Sequence, residues 1–131
     1  MSTPLFEHTS AFAGFSVDHI DAATRFYRDT LGLEVSEAGE PGVVLIGLPG
    51  GARVVAYAKS DHVPATYTVL NFPVPDVEAT VAELTRRGVV FERYPGTPME
   101  TDADGIFRGG GPVIAWFPDP AGNVLSVLEE V

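Results

Sequence analysis

Side chains able to do chemistry are few and scattered in this 131-residue sequence. Its three histidines, His8, His19 and His62, lie in an N-terminal arm, at the start of a predicted helix and in the linker "KSDHVPAT". A metal site built from them needs distant segments to converge, so each reads as a solvated polar residue. His8 has a second reading, because its even spacing from Phe12 puts both on one strand face if that strand extends so far. The run "ETDADG" at 100–105 has the carboxylates and sixth-place glycine of a calcium loop, but its twelfth place is Gly111, where a bidentate glutamate is required. "RGGGP" at 108–112 leads into a proline and a strand pattern rather than a helix N-terminus, so it is a loop and not a phosphate cradle. Ser126, in "DPAGNVLSV", has no general base beside it in sequence and makes a poor nucleophile. Tyr57, Ser126, Arg53 and Arg108 are the groups left for metal-free acid–base or oxyanion work.

Composition narrows the choice further. The absence of cysteine excludes disulfides, thiolate nucleophiles and thiolate metal sites together. Eighteen acidic residues against eight basic ones give a formal charge of −10, which repels phosphate backbones and anionic lipid, so neither nucleic acid nor membrane is an expected partner. The N-terminus lacks a basic region followed by a long apolar core, and a cytoplasmic location is expected.

The elements that must position these groups come in two copies. "FSVDHIDAAT" at 15–24 lies over "FPVPDVEATV" at 72–81 at an offset of 72 − 15 = 57, so that Phe15 meets Phe72, Val17 meets Val74, Ile20 meets Val77 and Ala22 meets Ala79. Each copy reads as a strand feeding a helix. The first helix, predicted over 19–31, stacks Ile20, Ala23, Tyr27 and Leu31 on one stripe, with Asp18 as N-cap and Gly32 as terminator. The second, over 77–87, stacks Val77, Val81 and Leu84 and stops at Gly88. Three strand-like runs follow each helix: "LEVSEA", "GVVLIGL" and "ARVVAYA", then "VVFERY", "PVIAWF" and "NVLSVLEE". "LPGGA" at 48–52 and "PDPAGN" at 118–123 supply hairpin turns. The result is an α+β chain of two tandem βαβββ units, about 11–60 and 66–131, each too small to stand alone; they pair within the chain or with a second chain. From Pro95 to Gly111 the chain lacks periodicity, as a lid or binding loop does.

Duplicated βαβββ units, "FYRDTLGLEV" at 26–35 and "DPAGN" before the last strand together resemble the vicinal oxygen chelate superfamily, which includes glyoxalase, extradiol dioxygenases, and the fosfomycin and bleomycin resistance proteins. The resemblance covers residues 11–130. It implies a single domain of cupped mixed sheets with helices outside and a ligand cavity inside, in a homodimer. Catalytic members carry metal ligands on four strands. The corresponding positions here are Phe12, Val55 or Tyr57, Val69 and Ser126, which offer at best a neutral hydroxyl. The resemblance therefore implies no bound metal and no cofactor, as in the drug-binding members.

Period-two alternation then assigns the cavity wall. Val124 and Leu128 share the face of Ser126; Tyr67 and Asn71 share that of Val69; Gly14 and Ser16 share that of Phe12. Arg53 shares a face with Val55 and Tyr57, and Trp116, matching a cavity-facing position of the family, brings Ile114 by parity. Arg108 in the long loop either meets an anionic ligand group or makes a salt bridge within the loop. The expected ligand site is thus Phe12, Arg53, Tyr57, Val69, Asn71, Arg108, Ile114, Trp116 and Ser126, holding an aromatic or amphipathic small molecule, antibiotic-like in character. The alternatives are a lyase, isomerase or dioxygenase-like enzyme of the same superfamily, metal-free or with ligands elsewhere, and an interaction module whose cavity its own side chains fill.

Overall fold

Each sequence repeat builds one four-stranded mixed sheet and one helix. The computed structural model describes residues 4–130. In the first unit β1 (Ala13–Val17) feeds α1 (Ile20–Arg25), and β2 (Glu34–Glu37), β3 (Val43–Gly47) and β4 (Arg53–Ala58) follow. In the second, β5 (Thr68–Pro73) feeds α2 (Val77–Arg86), before β6 (Ile106–Phe107), β7 (Ile114–Pro118) and β8 (Val124–Leu128). The sheets are ordered β1-β4-β3-β2 and β5-β8-β7-β6, and they remain two sheets rather than a closed barrel. β1–β4 and β5–β8 are parallel, as a helical crossover requires, and the hairpin-linked pairs are antiparallel.

Register exposes the duplication more sharply than the first strands do. Gly14 pairs with Val55 and Ser16 with Tyr57; Asn71 pairs with Ser126 and Pro73 with Leu128. The first strands are thus related by 71 − 14 = 57 residues and the last by 126 − 55 = 71. Val55, rather than Tyr57, is therefore the counterpart of Ser126.

Three local expectations need correction. Asp18 does not cap α1: the N-cap is His19 without a side-chain bond, and the Asp18 carboxylate accepts from the His19 N–H. The predicted single helix over 19–31 loosens after one and a half turns into a π-helical turn, Phe26–Thr30, before Gly32 ends it at φ +74°. α2 does behave as expected, burying Val77, Val81 and Leu84 and closing at Gly88 with φ +94°, and the structure adds Asp76 as N-cap, accepting from Ala79 N–H at 3.1 Å. Most consequentially, "VVFERY" is not a strand. Val89 and Phe91 are buried in alternation, but only Glu92 N–H reaches the β7 carbonyl of Trp116 before Tyr94, at φ +47°, turns the chain away. The edge strand beside β7 is instead the two-residue β6, inside the segment expected to be irregular.

The apolar faces of both sheets and both helices meet in one core, where Val17, Tyr27, Ile46, Phe117 and Leu125 are fully buried. An aromatic run crosses between the units: Phe15 and Tyr27 lie 5.8 Å apart between ring centroids, Phe26 and Tyr27 5.3 Å, Phe26 and Phe117 6.5 Å, and Phe91 and Phe117 5.4 Å. One polar knot interrupts it. The buried Asp119 carboxylate accepts from the Tyr27 hydroxyl at 2.7 Å, from Ala121 N–H at 2.9 Å and from Asn123 N–H at 2.8 Å. Asn123 in turn donates to the Ser16 carbonyl on the edge of β1. The "DPAGN" turn is therefore the clasp of the first unit onto the second.

Burial, reinforced by the Asp119 charge and hydrogen bond, pushes the Tyr27 phenol far above its ordinary 10.0. The folded chain keeps this proton where the unfolded chain releases it, so the contribution is intact below pH 10 and is lost as pH rises beyond it. Urea titrations of wild type above pH 10 should lose stability more steeply than those of Tyr27→Phe, by up to about 1.4 kcal/mol per pH unit. Parallel slopes for the two proteins would refute the assignment.

Candidate functional site

On β1 and β4 the buried residues Phe15, Val17, Val54 and Ala56 face the core, which leaves Gly14, Ser16, Arg53, Val55 and Tyr57 on the opposite face. A cavity of about 450 Å³ opens there, lined by Gly14, Ser16, Tyr57, Tyr67, Val69 and Asn123 among others. Its surroundings are unusually apolar for a surface: Phe12 is 64% exposed, Val63 80% and Tyr67 70%. Phe12 precedes β1 and His8 lies further outside it, so the strand does not extend to that histidine. Arg53 sits at the far end of β4 on a groove of about 770 Å³ with Glu34, Ser36 and Leu45, and it does not line the cavity beside Tyr57.

The second unit holds the other candidates. Trp116 pairs with Ser126, which pairs with Asn71, so three predicted residues share one rung across three strands, with Ile114 opposite Leu128 two residues along. The Ser126 hydroxyl, fully buried, donates to Asn71 Oδ1 at 2.6 Å. No base touches it, and a hydroxyl so engaged is a structural group. Trp116 is 8% exposed because Tyr94 leans on it edgewise and Phe107 at a tilt, with centroids 5.6 and 5.9 Å away. Neither aromatic was legible as a site residue, since one lies in the false strand and the other in the loop.

Simple alternation fails at Val69. Thr68 pairs with Val124 and Leu70 with Leu125, so Val69 is the extra residue of a β-bulge. Thr68, not Tyr67, takes the rung beside Val124, while Val69 packs partly against the core and also borders the cavity at Gly14. His62 is not merely solvated: its ring nitrogens lie 2.7 Å from Ser16 Oγ and 3.0 Å from the Ala121 carbonyl, bridging the units beside that cavity.

Arg108 is engaged by its own loop and by α2, with Nη1 donating to Asp102 at 2.5 Å and Nη2 3.6 Å from Glu78. Desolvation acts to raise the Asp102 carboxyl, but the N–H groups of Ile106 and Asp104 and the Arg108 charge outweigh it and hold the group below its usual range. The acidic "ETDADG" run thus folds about its own aspartate. Gly105 closes the turn at φ +89°, and a Cβ there would lie 2.6 Å from Phe91 Cβ. Gly105→Ala is expected to cost about 2 kcal/mol through left-handed strain plus that clash, measurable as a lowered urea midpoint.

The side chains at the family's ligand positions do not fit a divalent cation: Phe12, Val55 and Val69 have no donor atom, and Ser126 is a neutral hydroxyl already bonded. Among the described residues no three His, Asp or Glu side chains are grouped to hold one. No described helix is long and apolar enough to cross a membrane.

Comparison with known proteins matches this geometry. TnmS3, an antibiotic binding protein from a Streptomyces species, is 23% identical with a TM-score of 0.65, over 95% of this chain and 98% of its own. A superfamily member from Sphaerobacter thermophilus is 25% identical at TM-score 0.64, over 93% and 98%. The fosfomycin resistance protein FosX from Mesorhizobium loti is 11% identical at TM-score 0.63, over 95% and 93%. No curated protein sequence matches at a significant level. The sequence profile that does match covers residues 6–127, nearly the whole chain. The chain belongs to the Glyoxalase/Bleomycin resistance protein/Dioxygenase superfamily.

Proposed function

We propose that this protein binds an aromatic or amphipathic small molecule without a metal, on the outward faces of its two sheets. One observation carries the reading: where catalytic relatives would anchor a cation the sheets carry Val55, Val69 and Ser126 beside Trp116, and a 450 Å³ cavity is lined by Gly14, Tyr57, Tyr67 and Val69, with Ser16 and Asn123 as polar handles. The fold is shared with an antibiotic binding protein and a fosfomycin resistance protein, which supports a ligand of drug-like character. Exposed Phe12, Tyr57, Val63 and Tyr67 on a chain of charge −10 favour a homodimer in which a second copy closes the cup.

Thermal-shift measurement against a broad panel of aromatic natural products tests the reading, with wild type beside Tyr57→Ala and Trp116→Phe. Stabilising compounds whose effect falls in both variants are expected. A panel without a single stabiliser, or stoichiometric transition metal in protein purified without chelator, would overturn it.

A further inference from the structure

The internal repeat points to a second cavity, separate from the cup. The offsets of 57 and 71 that relate the paired strands also carry Tyr27 onto Leu84 (84 − 27 = 57), Asp119 onto Leu48 (119 − 48 = 71) and Asn123 onto Ala52 (123 − 52 = 71). In the first unit the Tyr27 phenol fills the junction between helix, sheet edge and turn, donating to Asp119, while Asn123 ties the turn to β1. At the duplicate junction the three shorter, apolar side chains leave a cavity of about 310 Å³.

Leu31, Leu48, Ala52, Phe72, Leu84 and Phe117 give it an apolar and partly aromatic lining, and no charged side chain borders it. Polar capacity runs along one wall. β5 ends its sheet, so one row of its backbone N–H and C=O groups faces the cavity side unpaired by a neighbouring strand.

We propose that this cavity binds a neutral single-ring phenol, the free counterpart of the tyrosine side chain that occupies the equivalent junction. The ring takes the place of Tyr27 against Leu48, Leu84 and Phe117, and the hydroxyl bonds to the β5 edge. A carboxylate in place of the hydroxyl is rejected, because the lining holds no cation to offset its desolvation.

The test uses p-cresol with the full chain, leucine methyl groups labelled for NMR. Saturable shifts at the Leu31, Leu48 and Leu84 methyls are expected, with a Tm rise of about 4 °C at ten times the dissociation constant. Ala52→Leu, at an exposed position of the rim, should weaken binding at least tenfold, and Leu84→Tyr, which supplies the ring covalently, should abolish it. 4-Methylbenzoate should not shift these methyls, and Tyr57→Ala in the cup should leave p-cresol binding unchanged. The proposal is overturned if millimolar p-cresol moves none of these methyls or moves only signals around Tyr57 and Trp116. Equal response to 4-methylbenzoate overturns it too, as do methyl shifts that track protein concentration alone, which would seat a second copy in the cavity. If Leu84→Tyr does not fold, Ala52→Leu binding like wild type is sufficient to refute it.

Discussion

Asp119→Ala should be the most damaging single change on the polar side of this fold, lowering unfolding free energy by about 4 kcal/mol in urea titrations. The carboxylate is 4% exposed and is the shared acceptor for a phenol, two backbone N–H groups and, at 3.2 Å, the Asn123 amide. Alanine strands the Tyr27 hydroxyl at the centre of an aromatic run and frees the turn that ties Asn123 to β1, so the loss exceeds that of one hydrogen bond. Tyr27→Phe removes only the donor, and the remaining three bonds keep Asp119 satisfied; a loss of about 1 kcal/mol is expected. The double variant should fall well short of the sum, since both act on one contact. Additive losses would show that the two groups contribute independently and that the clasp is not a unit.

The repeat was legible because strand-to-helix transitions are local: Phe15 and Val17 recur as Phe72 and Val74, and Gly32 and Gly88 stop both helices with a backbone conformation that glycine adopts without strain. What escaped was decided by partners far along the chain. "VVFERY" alternates like a strand because Val89 and Phe91 do face the core, yet a strand needs a ladder, and the left-handed backbone at Tyr94 ends this one after a single bond. The bulge at Val69 belongs to the pairing of β5 with β8 and not to either sequence, so parity counted across it from Val69 to Asn71 does not hold. Tyr27 looked like an ordinary stripe residue; its acceptor lies 92 positions away. The cavity at the duplicate of that junction emerges only when register ties Leu84 and Leu48 to their counterparts.

Tyr57→Ala should separate binding from folding, weakening any ligand of the cup by about 2 kcal/mol, roughly thirtyfold in Kd, while moving the urea midpoint little. Tyr57 is 38% exposed at the penultimate position of β4 and borders the cavity without belonging to the core, so truncation removes an aromatic wall and few packing contacts. Trp116 is a poorer probe on its own. It is buried under Tyr94 and Phe107, and Trp116→Ala is expected to cost about 3 kcal/mol of stability, which mixes unfolding with lost affinity. Trp116→Phe keeps the ring contacts and isolates the recognition effect. Calorimetric titration of one stabilising compound against wild type and both variants measures the contributions of the two sheets. Loss in both places the ligand across the cup; a Tyr57→Ala protein that binds within twofold of wild type removes the first sheet from the site, and a Trp116→Phe protein that does so leaves Trp116 as a covered residue rather than a binding surface.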